Sequence, residues 1–310
     1  MPYVPVPPLP AEELLEVAHR RWDRILTGRP DLTPAVDLQR RLLGIVVDVI
    51  GRVNGRRRPR LSLPPKYLAV KLIRGVPAFA GEPLPLPVPL LKTAMVQLCE
   101  ELAVGGAGDV ATHIREAIDS GNIEAGSLLT ASLSRDQGAI RTGASHRGLA
   151  PDLVWLIAEL AVGPVACALQ HVLFANTPNE ELGAALQAWT RGYCPACGSW
   201  PALAEVVGGH RMLRCSFCSS AWESSKYACV YCEESGKAFV TSAPNEARKD
   251  RRVEVCNSCG HYLKTVDLPE LSPFPLLAIA DLETMDLDMA AMEHGYGRPP
   301  LKDFRAGHAD

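Results

Sequence analysis

Apolar residues recur every three to four positions through most of residues 1–190, which is the pattern of amphipathic helices. The first of these patterns follows Pro10, where Leu14, Ala18 (or Val17), Trp22 (or Arg21) and Ile25 recur at helical spacing. The periodicity therefore predicts that the chain begins with a helix shortly after its proline-rich first ten residues.

A second helix is predicted to begin at Thr33-Pro34, with the threonine as N-cap and the proline at the first helical position. The helix should end before Asn54-Gly55. Its predicted apolar face consists of Leu38, Leu42, Ile45, Val49 and Val53.

Further helical patterns complete a multihelical domain over residues 1–190. They cover Val88–Ala103, Asp109–Asp119, Glu124–Leu133, Asp136–His146, Asp152–Ala175 and Asn179–Thr190. The scattered histidines of this domain are interpreted as surface or hydrogen-bonded core residues; they are His19, His113, His146 and His171.

Two segments of the helical domain allow a second interpretation. The passage from Pro77 to Pro89 contains EPLPLPVP, which favours an extended conformation and is interpreted as a rigid connector rather than a docking site.

The uncharged run Leu160–Asn179 has the length of a membrane span. It contains Gly163-Pro164, Gln170 and His171, so a buried core helix is the preferred interpretation.

The composition changes at Cys194, where the short extended stretches HRMLRC, SAWESSKYACVYC, KAFVTS and RRVEVC alternate with turns. These stretches predict short strands. A region of this size has little apolar mass and is expected to need covalent or metal cross-links.

Four Cys-x-x-Cys pairs lie in this region and predict metal binding. The eight cysteines are Cys194, Cys197, Cys215, Cys218, Cys229, Cys232, Cys256 and Cys259. Joining the first pair to the second and the third to the fourth gives C-x2-C-x17-C-x2-C and C-x2-C-x23-C-x2-C, close to the spacing of four-cysteine ribbons. A crossed pairing, first with third and second with fourth, stays open.

The residue after each pair supports two repeated units. Gly198 and Gly260 follow the first and fourth pairs, whereas Ser219 and Glu233 follow the second and third. Glycine tolerates a positive φ there, so that backbone N–H groups can point at sulfur. Each unit thus has one cysteine pair that is followed by glycine and one pair that is followed by another residue.

A tetrahedral set of four thiolates suits zinc or a single iron and leaves no open position for a substrate. Thioredoxin-like redox pairs usually occur once, at the start of a helix, so four copies among strands argue against that chemistry. Cys99 and Cys167 stand alone in apolar helical contexts and are interpreted as small buried hydrophobic residues.

Charge and composition narrow the classes of function. The chain of 310 residues carries a net charge of −3, which gives no general reason to expect nucleic acid or an anionic membrane. Two local basic runs keep a nucleic-acid-binding zinc ribbon as an alternative; they are Arg56-Arg57-Arg58 with Arg60, and Arg248, Lys249, Arg251 and Arg252. The first residues show no export signal, so a cytoplasmic location with reduced thiols is expected.

The chain resembles the FdhE family, accessory proteins of formate dehydrogenase. The resemblance rests on GYCPACGSWPALAEV, GHRMLRCSFCSSAW, YACVYC, RVEVCNSCGHYLKTVDL and the tail DLETMDLDMAAMEHGYGRPP. It implies a helical domain followed by two rubredoxin-like modules, each holding one metal, with iron favoured over zinc, through the eight cysteines. It also implies a cytoplasmic partner of the formate dehydrogenase catalytic subunit.

These observations predict an α+β multidomain protein. Its parts are a multihelical domain (1–190), two four-cysteine modules (191–226 and 227–268) and a tail with a helix (269–310). A non-enzymatic maturation factor is the leading hypothesis, and a rubredoxin-like electron carrier is a further alternative. In the tail, Asp281–Glu293 is predicted to be an acidic helix that packs through Leu282, Met285, Met289 and Met292.

Overall fold

The structure is a computed structural model that describes residues 3–55, 61–175, 179–224, 227–243, 249–302 and 304. The helices of these residues are α1 (Ala11–Gly28), α2 (Thr33–Asn54), α3 (Pro65–Ile73), α4 (Val88–Leu102), α5 (Gly108–Asp119), α6 (Ala125–Leu133), α7 (Gln137–Ser145), α8 (Pro151–Gln170), α9 (Glu180–Gln187), α10 (Leu277–Glu283) and α11 (Met285–Glu293). The strands are β1 (Tyr3–Val4), β2 (Leu203–Val207), β3 (His210–Arg214), β4 (Ala221–Glu223), β5 (Phe239–Ser242), β6 (Arg251–Cys256) and β7 (His261–Asp267).

The chain groups into two compact units. Residues 9–62 and 81–173 form a helical unit, and residues 1–8, 63–80 and 174–310 form a unit that contains the strands. Segments 63–80 and 174–190 thus lie with the strands, although the sequence pattern joins them to the helical domain. Compactness does not establish independent folding, so the division at residues 190, 226 and 268 stays a prediction.

Helix α8 is the centre of the helical unit and packs against α2, α4, α6 and α7. Pro151 at its first position and Asp152 in its first turn favour its start. With the turn that follows, it is the one described helix long and apolar enough to cross a bilayer, but 72% of its apolar window is buried. This burial agrees with a core helix.

Local capping signals determine several helix starts. The side chains of Glu124, Asp136 and Asn179 accept backbone N–H groups at the starts of α6, α7 and α9. The predicted N-cap of α2 is wrong. Thr33 is already helical, because a 3₁₀ turn over Pro30–Leu32 precedes it and makes Leu32 the capping residue.

The predicted face of α2 is also partly wrong. Val49 and Val53 are buried as expected, whereas Leu38, Leu42 and Ile45 are only half-buried. The other buried residues of α2 are Val36, Leu43, Val46 and Val47. The buried face of α2 differs from the predicted one because the neighbouring helices cover a wider part of its circumference than the five predicted positions.

The strands form one seven-stranded sheet in the described residues, in the order β1-β4-β3-β2-β7-β6-β5. All neighbouring pairs are antiparallel except β2 and β7, which run parallel. The β2–β3 turn is Gly208-Gly209, and both residues have a positive φ, as a tight hairpin turn requires. Strands β1, β2 and β7 were not predicted.

The sheet contains an internal repeat. Each half runs through a cysteine pair, a hairpin, a second cysteine pair and a third strand, so β2, β3 and β4 correspond to β5, β6 and β7. The parallel contact of Ala204, Glu205 and Val206 with Thr265, Val266 and Asp267 joins the two halves. The two predicted modules therefore share one sheet.

Buried ion pairs lie within this sheet. Arg211 on β3 donates to Glu254 on β6, so the pair connects the two halves, and Thr265 also donates to Glu254. Glu205 and Arg214 form a fully buried pair, and the backbone of Ser272 donates to the first and accepts from the second. Removing one partner of such a pair leaves an uncompensated buried charge, which is strongly destabilising.

The predicted C-terminal helix is two helices, α10 and α11, separated at Thr284. The predicted packing face is wrong at Met289 and Met292, which are 49% and 57% exposed. Leu287 and Ala291 are buried instead. The acidic residues explain the rotation, because Asp288 must reach the buried Lys264 of β7, which also binds Asp281.

Helix α3 packs against α9 and was missed by the sequence analysis. The turn after it begins the proline-rich passage, and the backbone N–H groups of Ala78 and Phe79 donate to the carbonyls of Pro195 and Ala196. Residues 82–87 have no regular secondary structure, as the prolines predict. The first residues of the predicted connector therefore cover the first cysteine pair.

Candidate metal centres

The structure brings the eight predicted cysteines together in two groups of four. Cage one consists of Cys194, Cys197, Cys215 and Cys218, and cage two consists of Cys229, Cys232, Cys256 and Cys259. Within each cage all sulfur atoms lie within 4.8 Å of one another. The sequential pairing is therefore the observed one, and the crossed pairing is not found among the described residues.

The spacing of the sulfur atoms fits a tetrahedral metal ion. The Cys194–Cys218 and Cys197–Cys215 Sγ–Sγ distances are both 3.5 Å, and the Cys229–Cys259 and Cys232–Cys256 distances are 3.7 and 3.6 Å. A tetrahedron with metal–sulfur bonds of about 2.3 Å has sulfur–sulfur edges of about 3.8 Å. The two cages could therefore hold two metal ions. None of the ten cysteines, all of them described, forms a disulfide.

All four cysteine pairs end in the same backbone turn. The residue after the second cysteine has a positive φ in each case, 81° at Gly198, 65° at Ser219, 63° at Glu233 and 71° at Gly260. This conformation was predicted from the sequence at Gly198 and Gly260. Ser219 and Glu233 adopt it at an energetic cost that glycine would not have.

We expect Glu233→Gly to stabilise the metal-loaded protein by up to about 1 kcal/mol, because the left-handed conformation costs an L-residue roughly 1–2 kcal/mol. The greater chain entropy of glycine in the unfolded state offsets part of this gain. Thermal melting measures the effect. Gly260→Ala makes the opposite change and serves as the control. Open space surrounds that glycine, so only its positive φ disfavours a side chain. A lower melting temperature for Glu233→Gly contradicts the prediction.

Burial controls the protonation of cage one. All four of its cysteines are buried, and removal from water raises the pKa of Cys194 and Cys218 far above the usual thiol range. Such a raised pKa favours the protonated form of these two thiols unless a cation compensates their charge. A divalent metal ion supplies that compensation and drives the protons off.

Cage two is more exposed and has a mixed electrostatic environment. Burial raises the pKa of Cys229, and it raises that of Cys259 to about 11. Burial also acts to raise the pKa of Cys256, but the backbone N–H groups of Cys259 and Ser258 donate to its sulfur and lower the pKa overall. These are the N–H···S contacts that the knuckle geometry predicts.

Two hydroxyl groups complete the surroundings of cage one. Ser199 Oγ lies 3.2 Å from the sulfur of Cys197, and Ser220 Oγ lies 3.2 Å from that of Cys218. Cys197 donates to Ser199 Oγ, whereas Ser220 can donate to the Cys218 sulfur, and a hydroxyl that donates to a thiolate stabilises it as a metal ligand. The sequence analysis did not identify these serines, although each stands two residues after a cysteine.

The aromatic residues near the cysteines differ in burial. Phe217, Trp222 and Tyr262 are buried, whereas Tyr227 is 60% exposed. The rings of Trp200 and Tyr231 meet edge to face at 5.2 Å, which links a residue beside cage one to a residue within the third cysteine pair. This contact is non-local and has no signature in the sequence.

The remaining candidate cysteines and histidines belong to the helical unit. Cys99 and Cys167 are buried, and burial raises the pKa of Cys99 to about 12, as expected for an inert core thiol. His113 and His146 line one open cavity of about 780 Å³ in the helical unit, where both stay exposed.

The second basic run is compensated by acidic residues where it is described. Arg252 pairs with Asp267, and Arg251 pairs with Asp250 and donates to the carbonyl of Glu283. Arg56, Arg57, Arg58, Arg60 and Arg248 lie outside the described residues.

Comparison with known proteins identifies the cysteine-rich region. The family model of the FdhE C-terminal domain matches residues 213–304, which include six of the eight cysteines. Residues 213–304 are therefore similar to an FdhE C-terminal domain. The resemblance to the FdhE family is thereby confirmed.

Curated relatives named Protein FdhE are similar to part of the chain. The relative from Escherichia coli O127:H6 is 36% identical over 118 residues, and that from Shigella boydii serotype 18 is 35% identical over 118 residues. Each match covers 37% of this chain and 38% of the relative's length. Sequence similarity to these FdhE proteins thus spans well under half of either chain.

The fold similarity extends further than the sequence similarity. The crystal structure of the FdhE protein from Pseudomonas aeruginosa superposes with a TM-score of 0.60 and covers 97% of both chains at 23% identity. A helical region followed by a sheet with two four-cysteine clusters is therefore the fold of this chain.

Proposed function

We propose that this protein is a non-enzymatic accessory factor for formate dehydrogenase and that it binds the catalytic subunit of that enzyme in the cytoplasm. The observation that supports this function is the similarity of residues 213–304 to the FdhE C-terminal domain. The fold shared with the Pseudomonas aeruginosa FdhE protein over nearly the whole chain agrees with it.

The eight cysteines are proposed as the ligands of two metal ions, one in each cage. Iron is the metal that the family resemblance favours, and zinc is the alternative. The spacing of the sulfur atoms and the four thiol ligands of each cage suit both metals. Four protein ligands fill a tetrahedral shell, so the cages would bind no substrate without losing a thiolate, which agrees with a role in binding a protein.

The acidic partners of Arg251 and Arg252 disfavour the nucleic-acid alternative. Their charge is already matched by Asp250 and Asp267, so little remains to neutralise phosphates. The accessory function therefore has the stronger support.

Deletion of the gene for this protein is expected to remove formate-dependent dye reduction by the host's formate dehydrogenase. Expression of the full chain should restore it, and tagged full-length protein should co-purify with the catalytic subunit. Gly183→Ala, a helical change with no atom within 4 Å of the added Cβ, should restore activity equally and serves as the substitution control. Full dehydrogenase activity in the deletion strain, together with no co-purification, contradicts the proposal.

A further inference from the structure

The two cages differ in how far solvent reaches their sulfur atoms. In cage one the most exposed cysteine is Cys197, at 5%. In cage two Cys232 is exposed and Cys259 is half-buried. Solvent, and any ligand dissolved in it, therefore reaches Cys232 and Cys259 of cage two, whereas Cys229, Cys256 and all four cysteines of cage one are buried.

Other parts of the chain cover cage one. The turn at Pro77 places two backbone N–H groups on the carbonyls of Pro195 and Ala196, between the first two cysteines. Carbon atoms of Phe304 and Pro77 lie 2.4 and 3.1 Å from where a Cβ on Gly198 would stand. The matching Gly260 of cage two has no atom within 4 Å of such a Cβ.

The internal repeat also shows a difference in the hydroxyl groups that contact sulfur. Ser199 and Ser220 stand two residues after the second cysteine of their pairs and contact sulfur. The corresponding residues of cage two are Glu234 and His261. The Glu234 carboxylate accepts from the backbone of Gly236 and the hydroxyl of Ser258, and so donates nothing to sulfur. Loss of such contacts typically lowers metal affinity about 10- to 100-fold.

From these three differences we infer that cage two is an exchange site, where an external thiol or nitrogen ligand can take the metal, whereas cage one holds its metal permanently. The inference rests on the proposed metal ligation. In the first step of the exchange, the incoming donor forms a bond to the metal and the bond to the Cys232 sulfur breaks. The released thiolate takes up the proton that an incoming thiol gives up, or a proton from the buffer acid when the donor is nitrogen. No electron is transferred, so neither an oxidant nor a reductant is needed.

Zinc-loaded full-length protein tests the inference with pyridylazoresorcinol as the competing chelator. We expect one ion per chain to leave in a fast phase and the other at least about tenfold more slowly. Iodoacetamide added during the reaction, followed by peptide mapping, should alkylate Cys232 first and leave the cage-one cysteines protected until the slow phase. This mapping needs no variant and does not depend on how a mutant folds.

Ser220→Ala tests the cause of the slow phase. It removes one sulfur contact of cage one and should accelerate the slow phase about tenfold, while the fast phase is unchanged. Two ions that leave in one phase, or alkylation that begins in cage one, overturn the inference alone. Fewer than two ions per chain at the start overturns the proposed metal sites as well, so the two failures are distinguishable.

Discussion

Cys218→Ser is expected to release one metal ion per chain and to unfold much of the sheet. Cys218 is fully buried, and its sulfur lies 3.5 Å from that of Cys194 across cage one. A serine there supplies a weaker metal ligand at a site that solvent does not reach. Because structural metal sites of this type contribute on the order of 10 kcal/mol to folding, the change should exceed ordinary core substitutions.

The small apolar clusters of the sheet explain why it depends on metal. One cluster contains Val6, Met212 and Ala221, and another contains Val253, Tyr262 and Ala291. Each of these offers only a few side chains to bury, so neither can replace the cross-link that four thiolates and a metal provide.

Elemental analysis of anaerobically prepared protein and limited proteolysis measure the effect of Cys218→Ser, and the same analysis identifies the metal as iron or zinc. Cys99→Ala is the matched control, since it removes a buried thiol of the helical unit and should retain two ions. Cys232→Ser, at the exposed position of cage two, should lose one ion with less unfolding. Two retained ions and an unchanged digestion pattern in Cys218→Ser contradict the prediction.

The features that the sequence predicted well are those encoded locally. Glu124, Asp136 and Asn179 mark helix starts because a capping side chain acts within three residues of itself. The cysteine pairs are equally local, because two intervening residues are enough to form a knuckle. The sequential pairing followed from the two repeated units.

The features that the sequence did not predict depend on contacts between distant segments. Strands β2 and β7 pair in parallel although about sixty residues separate them, and no pattern within either strand specifies its partner. Helix α3 has only nine residues between proline- and glycine-containing segments, too few for a clear period. The exposure of Met289 and Met292 depends on Lys264. The burial of Lys264 could not be predicted from the residues next to it in the sequence.

Gly192→Ala is expected to destabilise the protein by about 3 kcal/mol or more, because there is no room for a methyl group. A Cβ at this position would stand 1.8 Å from the carbonyl oxygen of Val230 and 2.7 Å from its carbonyl carbon. Both are backbone atoms, so a side-chain rotation cannot relieve the overlap. Gly192 has no positive φ, and the need for glycine here is purely steric.

The position of this contact makes its consequences larger than those of an ordinary overpacked site. Gly192 lies two residues before Cys194 of cage one, and Val230 lies between Cys229 and Cys232 of cage two. Moving either backbone segment should disturb the cysteine pair beside it, so we expect weaker metal retention in both cages. Denaturant unfolding with metal analysis measures both effects. Gly183→Ala in α9 is the control and should be neutral or stabilising, since alanine favours a helix. A Gly192→Ala protein within about 0.5 kcal/mol of the parent, with both ions retained, would show that the two cages do not depend on this close approach.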